Sequence, residues 1–229
     1  MKKHEFHNID TYELGVCARQ YLFVKHLKKF DGQGTEFSEG VVSFVTDDGY
    51  FASLGHSEDH AYLEKGAIDL YAQHGDIDEP EVIGWALRAS PTGIHGKFTD
   101  EYVPSMECKM KVLPIKDLCL DSAEVWIPFL ASDPIRYTGK IVGLPKESAM
   151  DSIIFEVDEP NIIGIHRGIE GSVIVQDGKV AAIVRRVNGK QLECVSAELV
   201  AVDLFRMMYE QSFAESENHK EDLKWLSIT

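Results

Sequence analysis

Two short stretches carry the residues with chemistry to offer. The first, Gly55-His56-Ser57-Glu58-Asp59-His60, places two imidazoles and two carboxylates close together. Imidazole and carboxylate are ordinary ligands of a divalent metal, so His56, Glu58, Asp59 and His60 form a weak metal candidate. The helical H-E-x-x-H pattern is absent, and a solvated acidic turn explains the same residues. An imidazole can also act as base toward a hydroxyl far away in the chain, because cooperating residues meet in space. The second stretch, Gly168-Ile169-Glu170-Gly171-Ser172, is a glycine-punctuated turn just ahead of a hairpin. It offers the Glu170 carboxylate and the Ser172 hydroxyl, which His56 could activate; a small residue needed for close packing is the other reading of Ser172. His166 and Arg167 precede the turn, as ligand-facing groups of a cleft or as exposed loop residues.

Hairpins position both stretches. Val41 to Thr46, Asp47-Asp48-Gly49 and Tyr50 to Leu54 read as strand, turn and returning strand, which delivers Gly55-His56 at its end. Ser172 to Val175 and Lys179 to Val184 flank Asp177-Gly178, a tight-turn signal. Elsewhere the runs are short. Leu14 to Val24 fits a strand, a helix or one of each, and Asp31 to Gly40 reads as a loop. Val82 to Ala89 is strand-like, Pro91-Thr92-Gly93 a turn, and Gly96 to Asp100 further loop. Cys108 to Val112, Ala123 to Leu130, Tyr137 to Leu144 and Ser152 to Val157 follow, the last ending at Asp158. Prolines 104, 114, 128, 134 and 145 exclude long helices there, and the texture predicts a β-sandwich or barrel. Beyond the hairpin, Ser196 can cap a helix whose apolar positions Leu199, Val202, Phe205, Met208 and Tyr209 form a core-packing face. Glu198 suits its first turn. A charged, frayed tail is expected from about residue 214, with Trp225 and Leu226 docking on the body or a partner.

Composition narrows the function classes. The chain has 229 residues, 44% hydrophobic and 27% charged, with a formal net charge of −15. That charge argues against binding nucleic acid or anionic lipid, both of which call for basic surfaces. No apolar run approaches a membrane span and the start lacks a signal peptide's apolar segment. Four scattered cysteines, Cys17, Cys108, Cys119 and Cys194, contain no C-x-x-C pair and fit free thiols in a reducing, cytoplasmic setting. Nothing in the sequence calls for a cofactor, and it leaves the oligomeric state open.

Taken together, these residues resemble the trypsin-like double-barrel peptidases, and within them the sporulation stage IV B (SpoIVB) peptidase family. That family has A-L-G-H after a hairpin strand, matched by Ala52-Ser53-Leu54-Gly55-His56 with one serine inserted. Its nucleophile lies in G-M-S-G-S-P-I-I-x-x-G-K-x-x-G-A-V, against which Gly168 to Val184 aligns without a gap. The resemblance implies a mostly β fold: a trypsin/chymotrypsin-like double six-stranded β-barrel with a C-terminal helix. Its barrels would span about 10–100 and about 101–190, followed by the helix at 195–213 and the tail at 214–229. It implies a base at His56, an orienting carboxylate at Asp158, and oxyanion-hole-like amides at Gly168 and Glu170. Glu170 stands in the nucleophile position and Val173 replaces the proline. A triad needs an attacking oxygen, a base and a group that orients the base. A glutamate is a poor nucleophile for amide hydrolysis, so the resemblance implies a catalytically inactive homologue that binds a peptide or protein. The alternatives are a serine hydrolase using Ser172 with His56, and a metal-dependent hydrolase on His56 and His60.

Overall fold

The computed structural model describes residues 13–16, 23–29, 35–54, 68–72, 82–102, 109–129, 132–144, 152–159 and 169–226. The strands are β1 Glu13–Val16, β2 Phe23–Lys29, β3 Thr35–Val45, β4 Tyr50–Ser53, β5 Ile68–Ala72, β6 Val82–Ser90 and β7 Gly93–Phe98. Then come β8 Lys109–Lys111, β9 Ser122–Phe129, β10 Ser132–Gly143, β11 Ile153–Val157, β12 Val173–Gln176, β13 Lys179–Asn188 and β14 Gln191–Ser196. One helix, α1 Ala197–Leu226, follows. The expected loops at Asp31–Gly40 and Gly96–Asp100 are strand over Thr35–Gly40 and Gly96–Phe98, because cross-strand pairing overrides the glycine content. The predicted tail continues as helix to Leu226.

Strand pairing resolves into two rings with one plan. β9 to β14 form a closed barrel in the order β9-β10-β11-β14-β13-β12. In the first sheet, β2–β3 pairing closes β2-β3-β4-β7-β6-β5 into a second six-membered ring, from which β1 and β8 extend beside β3. Numbering the strands of each ring from its start, both read 1-2-3-6-5-4. The same antiparallel design is therefore used twice, as the resemblance implies, although no sequence repeat announces it. Just after β8, Val112 bridges to Val180 of β13 and the Leu113 N–H donates to the Val180 carbonyl at 2.8 Å, tying the rings together.

Burial follows from which faces are covered. β11 and β14 alternate buried with half-buried positions, one face toward the barrel core and one toward solvent. β12 is buried at all four positions because both its faces are covered. Ile174 joins the barrel core with Ile127, Phe155 and Leu192. Val173 and Val175 join a second core shared by Phe44 and Ala52 of the first ring, Val112, and α1. The junction between the rings is thus itself an apolar core, sealed by the helix.

The helix meets this core with a face that overlaps the predicted one in part, since Phe205 and Met208 pack against it. Ala197, Val200, Ala201, Leu204 and Met207 are buried, while Val202 and Tyr209 are exposed and Leu199, Phe205 and Met208 are half-buried. The buried set has i, i+3, i+4 spacing, but two of its members are alanines, which weigh little in an apolar pattern. Small side chains let α1 approach the sheets closely. Its start is pinned as predicted: the Glu198 N–H donates to Ser196 Oγ at 3.2 Å. The Glu198 carboxylate in turn accepts the Ile115 N–H at 2.7 Å, fixing the helix start against the segment entering the second barrel.

Candidate functional site

The turn at Ile169–Ser172 is built from main-chain bonds. The Ser172 N–H donates to the Ile169 carbonyl at 3.1 Å, closing a four-residue turn. Gly171, its third residue, has φ +92°, which a type II turn requires and a side chain would oppose. The Gly171 N–H donates to the Val184 carbonyl at 2.7 Å and the Val184 N–H to the Ser172 carbonyl at 2.8 Å, so β13 clamps the turn. Glu170 occupies the exposed second position. Among the described residues its amide has no acceptor and its carboxylate no hydrogen-bond or ion-pair partner. An oxyanion hole in acyl transfer is built from main-chain donors beside a projecting side chain.

The first ring reaches this turn through a bulge. Val42 lies in register with Ser53 and Phe44 with Ala52, so Ser43 is the extra residue of β3. The bulge aims its buried hydroxyl at the other ring, where Ser43 Oγ donates to the Gly171 carbonyl at 2.9 Å. The turn therefore docks beside Ser53, near the end of the strand that leads into Gly55-His56. Gly93 packs on this strand end as well, since a Cβ there would meet the Ser53 carbonyl oxygen at 2.5 Å. His56, Glu58, Asp59, His60, His166, Arg167 and Gly168 lie outside the described residues.

Asp158 is not brought to the turn. Gly171 bonds to Val184, Val184 is in register with Cys194, and Cys194 with Ile153. Asp158 lies past the far end of β11, roughly 16 Å of strand beyond that level. It is exposed there, its N–H donating to the Thr138 carbonyl at 3.1 Å. The orienting role assigned to Asp158 is toward His56, which lies outside the described residues. Ser172 is fully buried. An enclosed hydroxyl is poorly placed to attack a substrate, and close packing in the turn is the role its burial fits.

A carboxylate that the sequence does not advertise sits nearer the strand end. Asp203 of α1 accepts the hydroxyls of Ser90 at 2.8 Å and Thr92 at 2.5 Å, and those two hydroxyls lie 2.7 Å apart. This cluster holds the β6–β7 turn, whose Gly93 presses on Ser53, against the helix. Beside it His95 is wholly buried, and neither ring nitrogen makes a hydrogen bond of good geometry. Burial lowers its pKa to about 4, against the opposing pull of the Asp203 charge and the nearby Val200 carbonyl; Arg88 lowers it further. No motif marks Ser43, Asp203 or His95, since a bulge and a helix phase assemble them.

Among the described residues no group of three or more His, Cys, Asp or Glu could hold a metal ion. Nor is any helix there long and apolar enough to cross a membrane. A surface groove of about 640 Å³ lies away from the turn, lined by Asp47, Asp48, Tyr50, Lys97, Asp100, Met208, Tyr209 and Ser212. It is open and mixed in polarity, with Lys97 already seated over the Tyr50 ring at 5.0 Å.

Comparison with known proteins adds likenesses of fold. No protein-family model matches the sequence, and no curated protein matches it. Among solved structures the chain is similar to the HtrA-type protease AlgW bound to a tripeptide, with 12% identity and a TM-score of 0.46, covering 85% of this chain and 62% of that one. It is also similar to the MamO protease domain from Magnetospirillum magneticum in its apo form, with 12% identity and a TM-score of 0.39, covering 82% of this chain and 97% of that one.

Proposed function

We propose that the chain is a catalytically silent serine-peptidase homologue that binds a peptide or protein in the cleft between its two rings. The observation that carries this reading is the Ile169–Ser172 turn, docked on the first ring through Ser43, with the Glu170 carboxylate at its exposed position. The turn keeps what backbone can supply, a main-chain donor held by clamped neighbours. It lacks what only a side chain can supply, a hydroxyl at the projecting position. Amide hydrolysis by this route needs an attacking oxygen that a base can activate, and a glutamate is a poor nucleophile for it. The preserved N–H can still donate to a carbonyl oxygen of a bound segment, so binding survives where cleavage does not. His56 is expected to face Glu170 across the cleft, paired with it as an ion pair.

A fluorophosphonate probe tests the catalytic half of this reading. The protein is expected to remain unlabelled at probe concentrations that saturate an active serine hydrolase. Covalent labelling of Ser172, located by mass spectrometry and lost in Ser172→Ala, would show an active hydrolase instead.

A further inference from the structure

The clamp strand of the turn carries an unused pair of charges. β13 is buried without interruption from Val180 to Val184 and then exposes Arg185 and Arg186 side by side. Successive strand residues ordinarily face opposite sides, but the register with β14 shifts between Val184 and Arg186, which makes Arg185 a bulge residue. The bulge begins at Val184, the residue whose N–H and carbonyl hold Ser172 and Gly171. Both arginines therefore leave the strand at the level of the turn, and both are exposed.

The other described arginines are engaged. Arg88 and Arg206 both bond to Glu210, at 2.7 and 3.1 Å, and Arg136 stacks 4.0 Å above the Trp126 ring. Arg185 and Arg186 have no such partner among the described residues. Glu193 lies across from Arg186, but its carboxylate takes the Ser152 hydroxyl at 2.7 Å. Two adjacent guanidiniums repel one another, and an incoming carboxylate relieves this while gaining charge-assisted, bidentate bonds. The overall charge of −15 opposes this little, since exposed charges are screened beyond about 8 Å at physiological salt.

We propose that Arg185 and Arg186 form an anion-recognising subsite of the cleft, and that the bound segment is a peptide carrying Asp or Glu side chains next to the part seated at the turn. This rests on the peptide-binding reading above and narrows it to a ligand class.

Selection from a random peptide display library, run in parallel on the full chain and on the Arg185→Gln/Arg186→Gln variant, tests this. Both positions are exposed, and circular dichroism should confirm an unchanged fold. The wild-type chain is expected to enrich peptides with Asp or Glu, and the double variant to lose that bias. The best acidic peptide should bind the double variant about 10-fold or more weakly, as expected for lost charge-assisted bonds. Arg185→Lys/Arg186→Lys should recover part of the affinity, because it keeps charge without the planar fork. Peptides of identical composition from both proteins would overturn the arginine subsite and leave peptide binding intact. Absence of enrichment on either protein would overturn peptide binding itself, and the subsite with it.

Discussion

The two rings share a strand order but complete their interiors differently. In the second, the core is an apolar set including Ile127, Ile141, Phe155, Ile174 and Leu192, supplied by its own strands. The second buries few polar side chains, Ser172, Gln176 and Ser196, whereas the first buries Ser43, Thr46, Ser53, Ser90, Thr92 and His95. Three of these hydroxyls donate to groups outside the ring, Ser43 to Gly171 and Ser90 and Thr92 to Asp203. The second ring thus closes on itself, while the first is finished by the turn and the helix. Where a fold is duplicated, the polar contacts that join the copies are the natural place for a site, because each copy alone leaves them unsatisfied.

That contrast can be broken from either side. The largest effect is expected in the self-sufficient ring: Phe155→Ala should cost about 3–5 kcal/mol, as a cavity in a close-packed core. Urea unfolding followed by circular dichroism measures it. A loss below about 1 kcal/mol would mean the second core is not the stabilising one.

The next effect belongs to the first ring and appears with pH. His95 has a folded pKa of about 4 against 6.5 unfolded, so between those values the unfolded chain binds more protons. Stability should therefore fall as pH drops through 6.5 and level off below about 4, a loss of about 3 kcal/mol from this group. Asp203 and Arg88 are the charged groups that face it, and their opposite pulls leave burial as the main cause. His95→Leu should remove this part of the acid sensitivity, read as a flatter pH profile of the unfolding midpoint. An unchanged profile would place the sensitivity elsewhere.

Smaller effects come from the joining contacts. Asp203→Ala removes the acceptor of both the Ser90 and Thr92 hydroxyls and should cost about 2 kcal/mol. Hydrogen exchange should show the excess opening in β6, β7 and the first turns of α1, with β9 to β11 protected as before. Ser43→Ala removes one buried bond and should cost about 1 kcal/mol. Its signature is faster amide exchange at Gly171 and Ser172; equal exchange would mean that the clamp from β13 alone holds the turn.

Residue pattern carried the architecture further than the site. The hairpins at Asp48-Gly49 and Asp177-Gly178 are written locally, with positive φ at Gly49, Asp177 and Gly178 between β-rich runs. Strands that pattern missed, among them β5 at Ile68–Ala72, β7 at Gly93–Phe98 and β14 at Gln191–Ser196, exist through pairing with other strands. The helix was legible as a helix, and its cap at Ser196 was correct, yet the centre of its buried face was shifted because Ala197 and Ala201 look neutral in a hydrophobic pattern. Within the site, the Glu170 turn could be read directly because two glycines frame it. Asp158 was drawn in by its position in the chain, where spacing says nothing about the direction of β11. Ser43, Asp203 and the Arg185–Arg186 pair depend on two bulges and a helix phase, which no single stretch encodes.

The central claim is that Glu170 occupies a former nucleophile position opposite His56. NMR titration of the His56 imidazole in the wild-type chain and in Glu170→Ala tests it most directly. A carboxylate within about 4–6 Å stabilises the imidazolium, so the wild-type His56 pKa should be elevated and should fall in Glu170→Ala. Identical titration curves in the two proteins would mean that the residues do not meet, and that the turn faces something other than His56.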